Sequence, residues 1–280
     1  MNSSCETECK QLAVVFLARG GDGLAATEAF LESYRKYISG VRHSLVVLTK
    51  GWNRDAEQST VIRWTHALQG SLIELPDDGF DFGAYFRAMP MLREEWICIL
   101  NTHSRIRADN WLKLLYDAAR RPGVGAAGAT GSWESAWRNV RNFDRHTGVL
   151  HFARFAYNGI CYPPFPNPHL RSNALLTRRR LFMEFASGKS IPQHKRDAQR
   201  LESGRRGLSS FVRSRGLELV VCGADGGVFS ERQWSNSGTF RIANHPNLLV
   251  EDNQTRAFDR APPAVRQALR DAAWGLTKTT

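Results

Sequence analysis

The chain has 280 residues, of which 42% are hydrophobic and 23% are charged, values typical of a globular protein with a full core. Its net charge of +11 favours anionic partners such as nucleic acid, anionic lipid or phosphorylated substrates. The apolar run 12–18 is too short to span a membrane, and residues 1–10 lack the layout of an export signal, so no export is expected.

The five cysteines favour a reducing compartment. Cys98 and Cys222 lie inside apolar runs and are expected to be small buried side chains. Cys5 and Cys9 could ligate a metal, but no second Cys or His pair accompanies them, so residues 1–11 are expected to form a flexible N-terminus. With no repeat or linker in the sequence, residues 12–260 are predicted to form one domain, followed by a C-terminal helix and tail at 261–280.

Short β-branched runs alternate with helical periodicity over the first 130 residues. The predicted strands are 12–17, 44–48, 72–75, 96–100 and 124–129, and the helices between the first three are 24–38 and 56–68. This alternation predicts an α/β fold, a three-layer α/β/α sandwich with a mostly parallel central sheet. The loop 19–23 holds three glycines and either brings backbone amides to a phosphate or base, or is a plain βα turn.

Two polar segments follow predicted strands, where ligands bind in sheets of this kind. The apolar run 96–100 turns polar at 101–107, and Asp109 or Asn110 is predicted to cap the next helix. After the third strand, Asp81 lies between two phenylalanines and before Gly83, where close approach of a ligand would explain the small residue.

The second half is less regular. It is predicted to contain a strand at 169–177, a helix start at 178–185, a basic helical segment at 202–215, a strand at 216–222 and a helix at 262–276. Asp252 and the residues up to Arg256 form either a lid over a ligand or a capped helix start. His245 is either a late metal ligand or a surface-loop histidine.

The order of these segments resembles a GT-A-fold glycosyltransferase of the family-2 kind. In that family a nucleotide-binding βα half leads to a strand ending in an Asp-any-Asp motif, the place held here by 100–112. A later acidic group at the head of a helix is matched by 201–221. The sequence is also similar to the rhamnan-synthesis branch of bacterial polysaccharide glycosyltransferases, through Gly79–Ala84 and His169–Ser172. The resemblance covers 12–221.

The resemblance implies a nucleotide-binding half at 12–135 and an acceptor half at 136–260. It implies that a carboxylate, Glu202 or the nearby Asp197, removes the proton from the acceptor hydroxyl. Alternatively, Glu202 is a helix N-terminal carboxylate that favours the helix dipole. The expected substrate-binding residues are Arg19, Asp81, Gly83, Asn101, His103, Arg105, His169, Arg171, Asn173, Asp252 and Arg256.

One departure from the family bears on the metal. Asn101-Thr102-His103 replaces the acidic motif, and Mg²⁺ or Mn²⁺ would require anionic oxygens there. Either arginines replace the metal, with Arg19, Arg105, Arg107 and Arg171 as candidates, or the site only binds its ligand. His103 is alternatively a hydrogen-bonded strand-end histidine. No cofactor is assigned, and a divalent metal stays an open possibility.

We therefore expect a cytoplasmic glycosyltransferase that moves a sugar from a nucleotide-sugar donor to a polysaccharide or lipid-linked acceptor. Peripheral contact with an anionic membrane at its inner face is a further expectation. The alternatives are a non-catalytic member of the same fold that binds nucleotide-sugar or glycan, and a basic nucleic-acid-binding protein. The sequence has no zinc-finger spacing and no RNA-binding aromatic signature, so nucleic acid is not the expected partner.

Overall fold

A computed structural model describes residues 11–137 and 149–275 of the chain. Cys5 and Cys9, in the predicted N-terminus, lie outside the described residues. None of the helices described combines the length and the apolar character needed to cross a bilayer.

The described residues form twelve strands and ten α-helices. The strands are β1 (Leu12–Arg19), β2 (Ser44–Lys50), β3 (Ser71–Glu74), β4 (Trp96–Leu100), β5 (Arg105–Ile106), β6 (Val124–Gly128), β7 (Gly131–Ser132), β8 (His169–Leu170), β9 (Leu175–Arg178), β10 (Glu218–Cys222), β11 (Val228–Ser230) and β12 (Val250–Glu251). The helices are α1 (Leu24–Lys36), α2 (Asp55–Ala67), α3 (Phe80–Ala88), α4 (Trp111–Ala119), α5 (Val149–Cys161), α6 (Arg179–Ala186), α7 (Lys195–Ser203), α8 (Leu208–Ser214), α9 (Asn253–Arg260) and α10 (Pro263–Trp274).

Eight strands form the central sheet in the order β11-β10-β6-β9-β4-β1-β2-β3. Strands β1 to β4 are parallel to one another, and β10 is parallel to β6. Strand β9 is antiparallel to both of its neighbours, and β11 is antiparallel to β10. The predicted mostly parallel sheet is therefore confirmed, with two antiparallel strands added to it.

Side chains on the two faces of the sheet belong to two separate cores. On β1, Val14 and Phe16 face one core, which contains α1, α2 and α4, and the Phe16 ring stacks on Phe30 of α1 at 3.7 Å. Val15 and Leu17 face the other core, which contains α3, α6 and α8. Every residue of β1 from Leu12 to Ala18 is buried and apolar, as expected of a central parallel strand, and only its last residue, Arg19, is polar. The predicted three-layer α/β/α arrangement is confirmed.

The predicted strand 169–177 is divided in two. His169 and Leu170 form β8, which pairs with β7, and the chain joins the central sheet only from Leu175 onward. Between them, the side-chain amide of Asn173 donates to Val250 O at 2.7 Å, and its Oδ1 accepts from Thr130 Oγ1 at 2.6 Å. These long-range bonds keep the intervening residues out of the ladder.

The start of α4 differs from the prediction that Asp109 or Asn110 caps this helix. Asn110 precedes α4 in a left-handed conformation (φ 59°), and its side chain makes no capping hydrogen bond. Asp109 Oδ1 accepts instead from the backbone N–H of Ile38 at 2.8 Å, which ties the start of α4 to the end of α1. A contact distant in sequence thus takes the carboxylate that local rules assign to the cap.

An ion pair attaches the C-terminal segment to the sheet. Arg171, in the turn before β9, pairs through Nη2 with Asp252, and its Nη1 donates to Gln254 at 2.9 Å. Asp252 also accepts from the backbone N–H groups of Gln254 and Thr255 and so caps α9, which confirms the predicted capped helix start. The Arg171 guanidinium lies 4.5 Å from the Phe240 ring centroid. The pair is buried, with 11% and 1% of the two side chains exposed.

The loops that follow β1 and β2 touch through their backbones. A Cβ atom on Gly20 would lie 2.2 Å from Gly51 O, whereas one on Gly21 would meet only the Arg19 side chain at 3.5 Å. We expect Gly20→Ala to lower the free energy of unfolding by about 1–3 kcal/mol, since backbone must move to admit the methyl group. Gly21→Ala is the matched control and should leave the urea midpoint nearly unchanged. Equal midpoints for the two variants would contradict the close approach.

Arg171→Ala should lower the free energy of unfolding by about 3–5 kcal/mol, because it leaves the Asp252 carboxylate buried without its partner. Arg178→Ala, at an ion pair with Glu95 that is more than half exposed, is the control, with a loss of about 1 kcal/mol or less.

The same pair makes stability depend on pH. Burial raises the pKa of Asp252, but Arg171 and the capping N–H groups outweigh it, so the pKa lies below its ordinary value. The contribution is present above the ordinary pKa of an aspartate and is lost as the pH falls through the lowered one. Urea titrations across acidic pH should show this loss in the wild type and not in Arg171→Ala.

Candidate functional site

A cleft of about 420 Å³ opens at the carboxyl ends of β1 and β4. This is the edge of a parallel sheet at which ligands bind. The walls come from the loops after these strands, the start of α3, the turn before β9, helix α7 and the start of α9. The residues that line it are Arg19, Asp22, Phe80, Asp81, Phe82, Asn101, Thr102, His103, Ser172, Lys195, Ala198, Gln199, Glu202 and Asn253.

The loop after β1 meets the loop after β4 at this cleft. His103 Nε2 lies 3.5 Å from Asp22 Oδ1, and Arg19 Nη1 lies 3.8 Å from Asp22 Oδ2. The hydrogen bond from His103 lowers the pKa of Asp22, and Arg19 adds to this effect against the opposing effect of burial. His103 is therefore a strand-end histidine with a hydrogen-bonded partner, and it also faces the cleft.

The buried ammonium group of Lys50 orders the turn that leads into α3. Its Nζ donates to Asp78 O at 2.9 Å and to Phe80 O at 2.8 Å. The turn has positive φ at both Gly79 (71°) and Phe80 (52°), so it depends on such support. Burial lowers the pKa of Lys50, and the carboxylates of Asp77 and Asp81 oppose this.

Asp81, in the first turn of α3, presents a free carboxylate to the cleft. It is half-buried and makes no hydrogen bond or ion pair within the part of the chain that the structure describes. Burial raises the pKa of Asp81; Glu202 and Asp22 raise it further, and Lys50 and Arg19 lower it. A half-buried carboxylate without a partner is well placed to accept hydrogen bonds from a ligand.

Gly83 packs against the loop before α7. A Cβ atom there would lie 3.3 Å from the Ile191 side chain, so the small residue admits Ile191. Gly83 itself does not line the cleft.

Asn101 lines the cleft, but its side-chain oxygen is engaged. Asn101 Oδ1 accepts from the backbone N–H of His103 at 3.0 Å and from Ser104 Oγ at 3.2 Å. The amide therefore closes the turn after β4, as short polar side chains commonly do.

Glu202 also lines the cleft, but it lies near the C-terminal end of its helix, whereas the prediction placed it near the N-terminal end. It is the penultimate residue of α7 (Lys195–Ser203), so it does not gain from the dipole at a helix N-terminus. Its Oε1 accepts from the backbone N–H of Ser172 at 2.9 Å. Its second oxygen makes no hydrogen bond with the residues that the structure describes. The group is thus held at one oxygen and open at the other.

Three further carboxylate and amide candidates lie outside the cleft lining. Asp197 accepts from the backbone N–H of His194 at 3.0 Å and pairs with Arg200, on another face of α7. Asn173 and Asp252 are buried in the contacts that join the β9 turn to the C-terminal segment. None of the three lines the cleft.

The basic candidates are also dispersed. Arg171 is turned into its buried pair with Asp252 and does not line the cleft. Arg105 lies in β5, which pairs with β12, and Arg256 Nη1 donates to His103 O at 3.2 Å. Arg107 pairs with Glu251 at 2.5 Å. Of the expected cations, Arg19 alone lines the cleft.

His169 is buried and its Nδ1 is 2.8 Å from Asn167 O. Burial lowers the pKa of His169, although the nearby Glu202 carboxylate opposes this. His169 is not among the residues that line the cleft.

The residues of the cleft do not fit a divalent metal. Among the described residues no group of three or more His, Cys, Asp or Glu side chains is arranged to hold a metal ion. Asn101 Oδ1 is engaged and His103 faces Asp22. His245, the other ligand considered, is buried with Nδ1 3.1 Å from Asp259, not exposed in a surface loop.

Several residues of the cleft were not identified from the sequence. Asp22 was part of the glycine-rich loop after β1, and that position was a signal that could have revealed it. Lys195 and Gln199 had no local signal, because they reach the cleft only through the packing of α7. Asn253 lies in the polar segment 252–256, which the sequence offered as a possible lid over the ligand.

No protein-family model matches the sequence, and no curated protein matches it. Among solved structures, the chain is similar to mannosyltransferase PcManGT from Pyrobaculum calidifontis, in complex with GDP-Man and Mn²⁺. The match covers 94% of this chain and 70% of that chain, at 14% sequence identity and a TM-score of 0.48. At this level of similarity the ligands of that protein are not transferred to this chain.

Proposed function

We propose that the chain is a glycosyltransferase that binds a nucleotide-sugar in this cleft and transfers the sugar to a hydroxyl group of a polysaccharide or lipid-linked acceptor. The observation that carries the proposal is that two carboxylates on neighbouring helices line the same cleft in different surroundings. Asp81 on α3 has no partner among the described residues, and Glu202 on α7 is held by one backbone N–H group.

Asp81 suits recognition of the nucleotide. Base and ribose present N–H and O–H donors, and an ionised carboxylate accepts such bonds more strongly than a neutral group does. The cations on the same cleft lining, Arg19 and Lys195, provide positive charge for the diphosphate. A guanidinium group can bind two phosphate oxygens at once.

Glu202 suits proton removal from the acceptor. The bond from Ser172 fixes the direction of the carboxylate, and the second oxygen is available to receive the proton. As the acceptor oxygen attacks the sugar, negative charge builds on the leaving diphosphate, where the cleft cations stabilise it.

The second candidate function is binding of a nucleotide-sugar without transfer. The lack of a metal-ligand group among the described residues favours this alternative, because hard cations commonly stabilise a departing diphosphate. Measured turnover separates the two candidates.

Asp81→Ala should weaken nucleotide binding by about 1.5–3 kcal/mol, the usual loss for a hydrogen bond to a charged group. UDP, GDP, dTDP and CMP would first be compared by thermal shift, and the best ligand then titrated by calorimetry. Asp55→Ala, at an exposed aspartate that does not line the cleft, is the control. Unchanged affinity in Asp81→Ala would remove the proposed contact.

The same titration tests whether nucleotide binding requires a divalent metal ion. Because the described residues do not form a ligand group, we expect excess EDTA to leave nucleotide binding nearly unchanged. Arg19→Ala should weaken binding of the nucleotide more than binding of the bare nucleoside, since its partner is the diphosphate. Loss of binding in EDTA and recovery in Mn²⁺ would show a metal site and contradict this expectation.

Glu202→Gln should lower turnover about 10²-fold or more while donor affinity holds, because the amide keeps the bond from Ser172 but cannot accept the proton. Asp197→Asn, at a helix cap outside the cleft, is the matched control and should keep near-normal turnover. A fall in Asp197→Asn and not in Glu202→Gln would reassign the base.

A further inference from the structure

A second and larger pocket, of about 750 Å³, lies on the other side of α7 from the cleft. It is formed by the end of α5, the loop 189–193, one face of α7 and the turn that follows α7. Its lining differs from that of the cleft, because it is dominated by cations and aliphatic side chains. None of the functional roles described above uses this pocket.

Helix α7 separates the two sites through its periodicity. Lys195, Ala198, Gln199 and Glu202 line the cleft, at spacings of three, one and three residues. The residues of α7 and its end that line the second pocket are Asp197, Arg200, Leu201 and Gly204, with the same spacings. These are two faces of one helix.

The rim of the second pocket carries four cations and one carboxylate. Asp197 is neutralised by its pair with Arg200. The three remaining cations, Lys189, Arg205 and Arg206, have no acidic partner within the described parts of the chain. Lys189 Nζ donates to Arg206 O at 3.2 Å, Arg205 Nη2 donates to Gly159 O at 3.1 Å, and the Arg206 guanidinium is exposed. Burial, with the Arg206 charge, lowers the pKa of Lys189.

The floor of the pocket is aliphatic. Ile191 and Leu201 lie in the lining, and Ile160 at its edge is 76% exposed. Tyr157, one turn earlier on α5, is 40% exposed and accepts a hydrogen bond from Arg200 at 2.9 Å. An exposed isoleucine beside unpaired cations is the surface chemistry that binds an anionic head group on an apolar chain.

We propose that this pocket binds a lipid phosphate, with the phosphate group paired by Lys189, Arg205 and Arg206 and the chain lying along Ile160, Ile191 and Leu201. Lipid binding itself is independent of the nucleotide cleft. One consequence rests on the proposed function: a lipid bound here would bring the hydroxyl group of a lipid-linked acceptor beside α7, the helix that carries Glu202.

The full chain would be sedimented with vesicles of phosphatidylcholine and with vesicles that also contain phosphatidic acid. Wild-type protein should bind only the second kind. Arg206→Glu should weaken binding about tenfold or more, because it removes one attraction and adds one repulsion. Arg93→Glu is the matched charge control, at an exposed arginine that precedes β4 and so lies away from the carboxyl ends of the strands.

Ile160→Ser tests the apolar part. It should weaken vesicle binding several-fold through loss of apolar contact, whereas Ile38→Ser, at a side chain that is 69% exposed, should not. Soluble dihexanoyl phosphatidic acid and glycerol phosphate separate lipid from free phosphate. The first should bind at least tenfold more tightly than the second in wild type, and Ile160→Ser should reduce this preference.

The outcomes are distinct. An equal loss of vesicle binding in Arg206→Glu and Arg93→Glu would mean diffuse attraction by the net charge, and would overturn the proposal that this pocket is the binding site. Equal affinity for the soluble lipid and for glycerol phosphate would mean that the pocket binds phosphate alone, and would overturn the proposal that it binds a lipid. Nucleotide titrations of Arg206→Glu and Ile160→Ser should match wild type, and a wild-type protein that binds lipid but no nucleotide would reject the proposed function alone.

Discussion

The cleft depends on one buried charge. Lys50 ends β2, and 1% of its side chain is exposed, so its ammonium group must find partners inside the protein. It finds them in the carbonyl groups of Asp78 and Phe80, and these bonds set the turn that presents Asp81. A lysine that reaches from one strand end to the next loop therefore places a carboxylate that is far from it in sequence.

The three carboxylates of the cleft have different electrostatic surroundings. Asp22, Asp81 and Glu202 lie in one cleft, and their mutual repulsion raises the pKa of Asp81 beyond the effect of burial. Asp22 is kept ionised by His103 and Arg19. The three carboxylates thus differ: one is paired, one is held at a single oxygen, and one is free. Differences of this kind allow separate roles in binding and proton transfer.

Helix α7 links the two pockets physically. Its two faces carry different residues: Lys195, Gln199 and Glu202 line the cleft, whereas the ion pair of Asp197 with Arg200 lines the second pocket together with Leu201. Both are built from residues spaced for a helix, so a shift of α7 would change both linings together. The ion pair between Arg171 and Asp252 lies next to Ser172, the residue that orients Glu202, and so couples the C-terminal segment to the cleft wall.

The sequence by itself determined the layered sheet and part of the cleft. Buried strands are apolar throughout and amphipathic helices have a period of 3.6, so the α/β alternation of the first half is a local property. Polar residues directly after such strands must lie at one sheet edge, which is why Arg19, Asp81, Asn101 and His103 do reach the cleft.

Tertiary structure alone decided the partners of the charged groups. Arg171 pairs with Asp252, which lies 81 residues away, and Asp109 caps no helix because Ile38 takes its carboxylate. The tertiary structure likewise decided that β9 enters the sheet antiparallel to its neighbours and that Lys195 lies in the cleft. Local propensity specifies helices and strands, whereas ion pairs and strand order follow from packing between segments that are distant in sequence, and no local pattern encodes them.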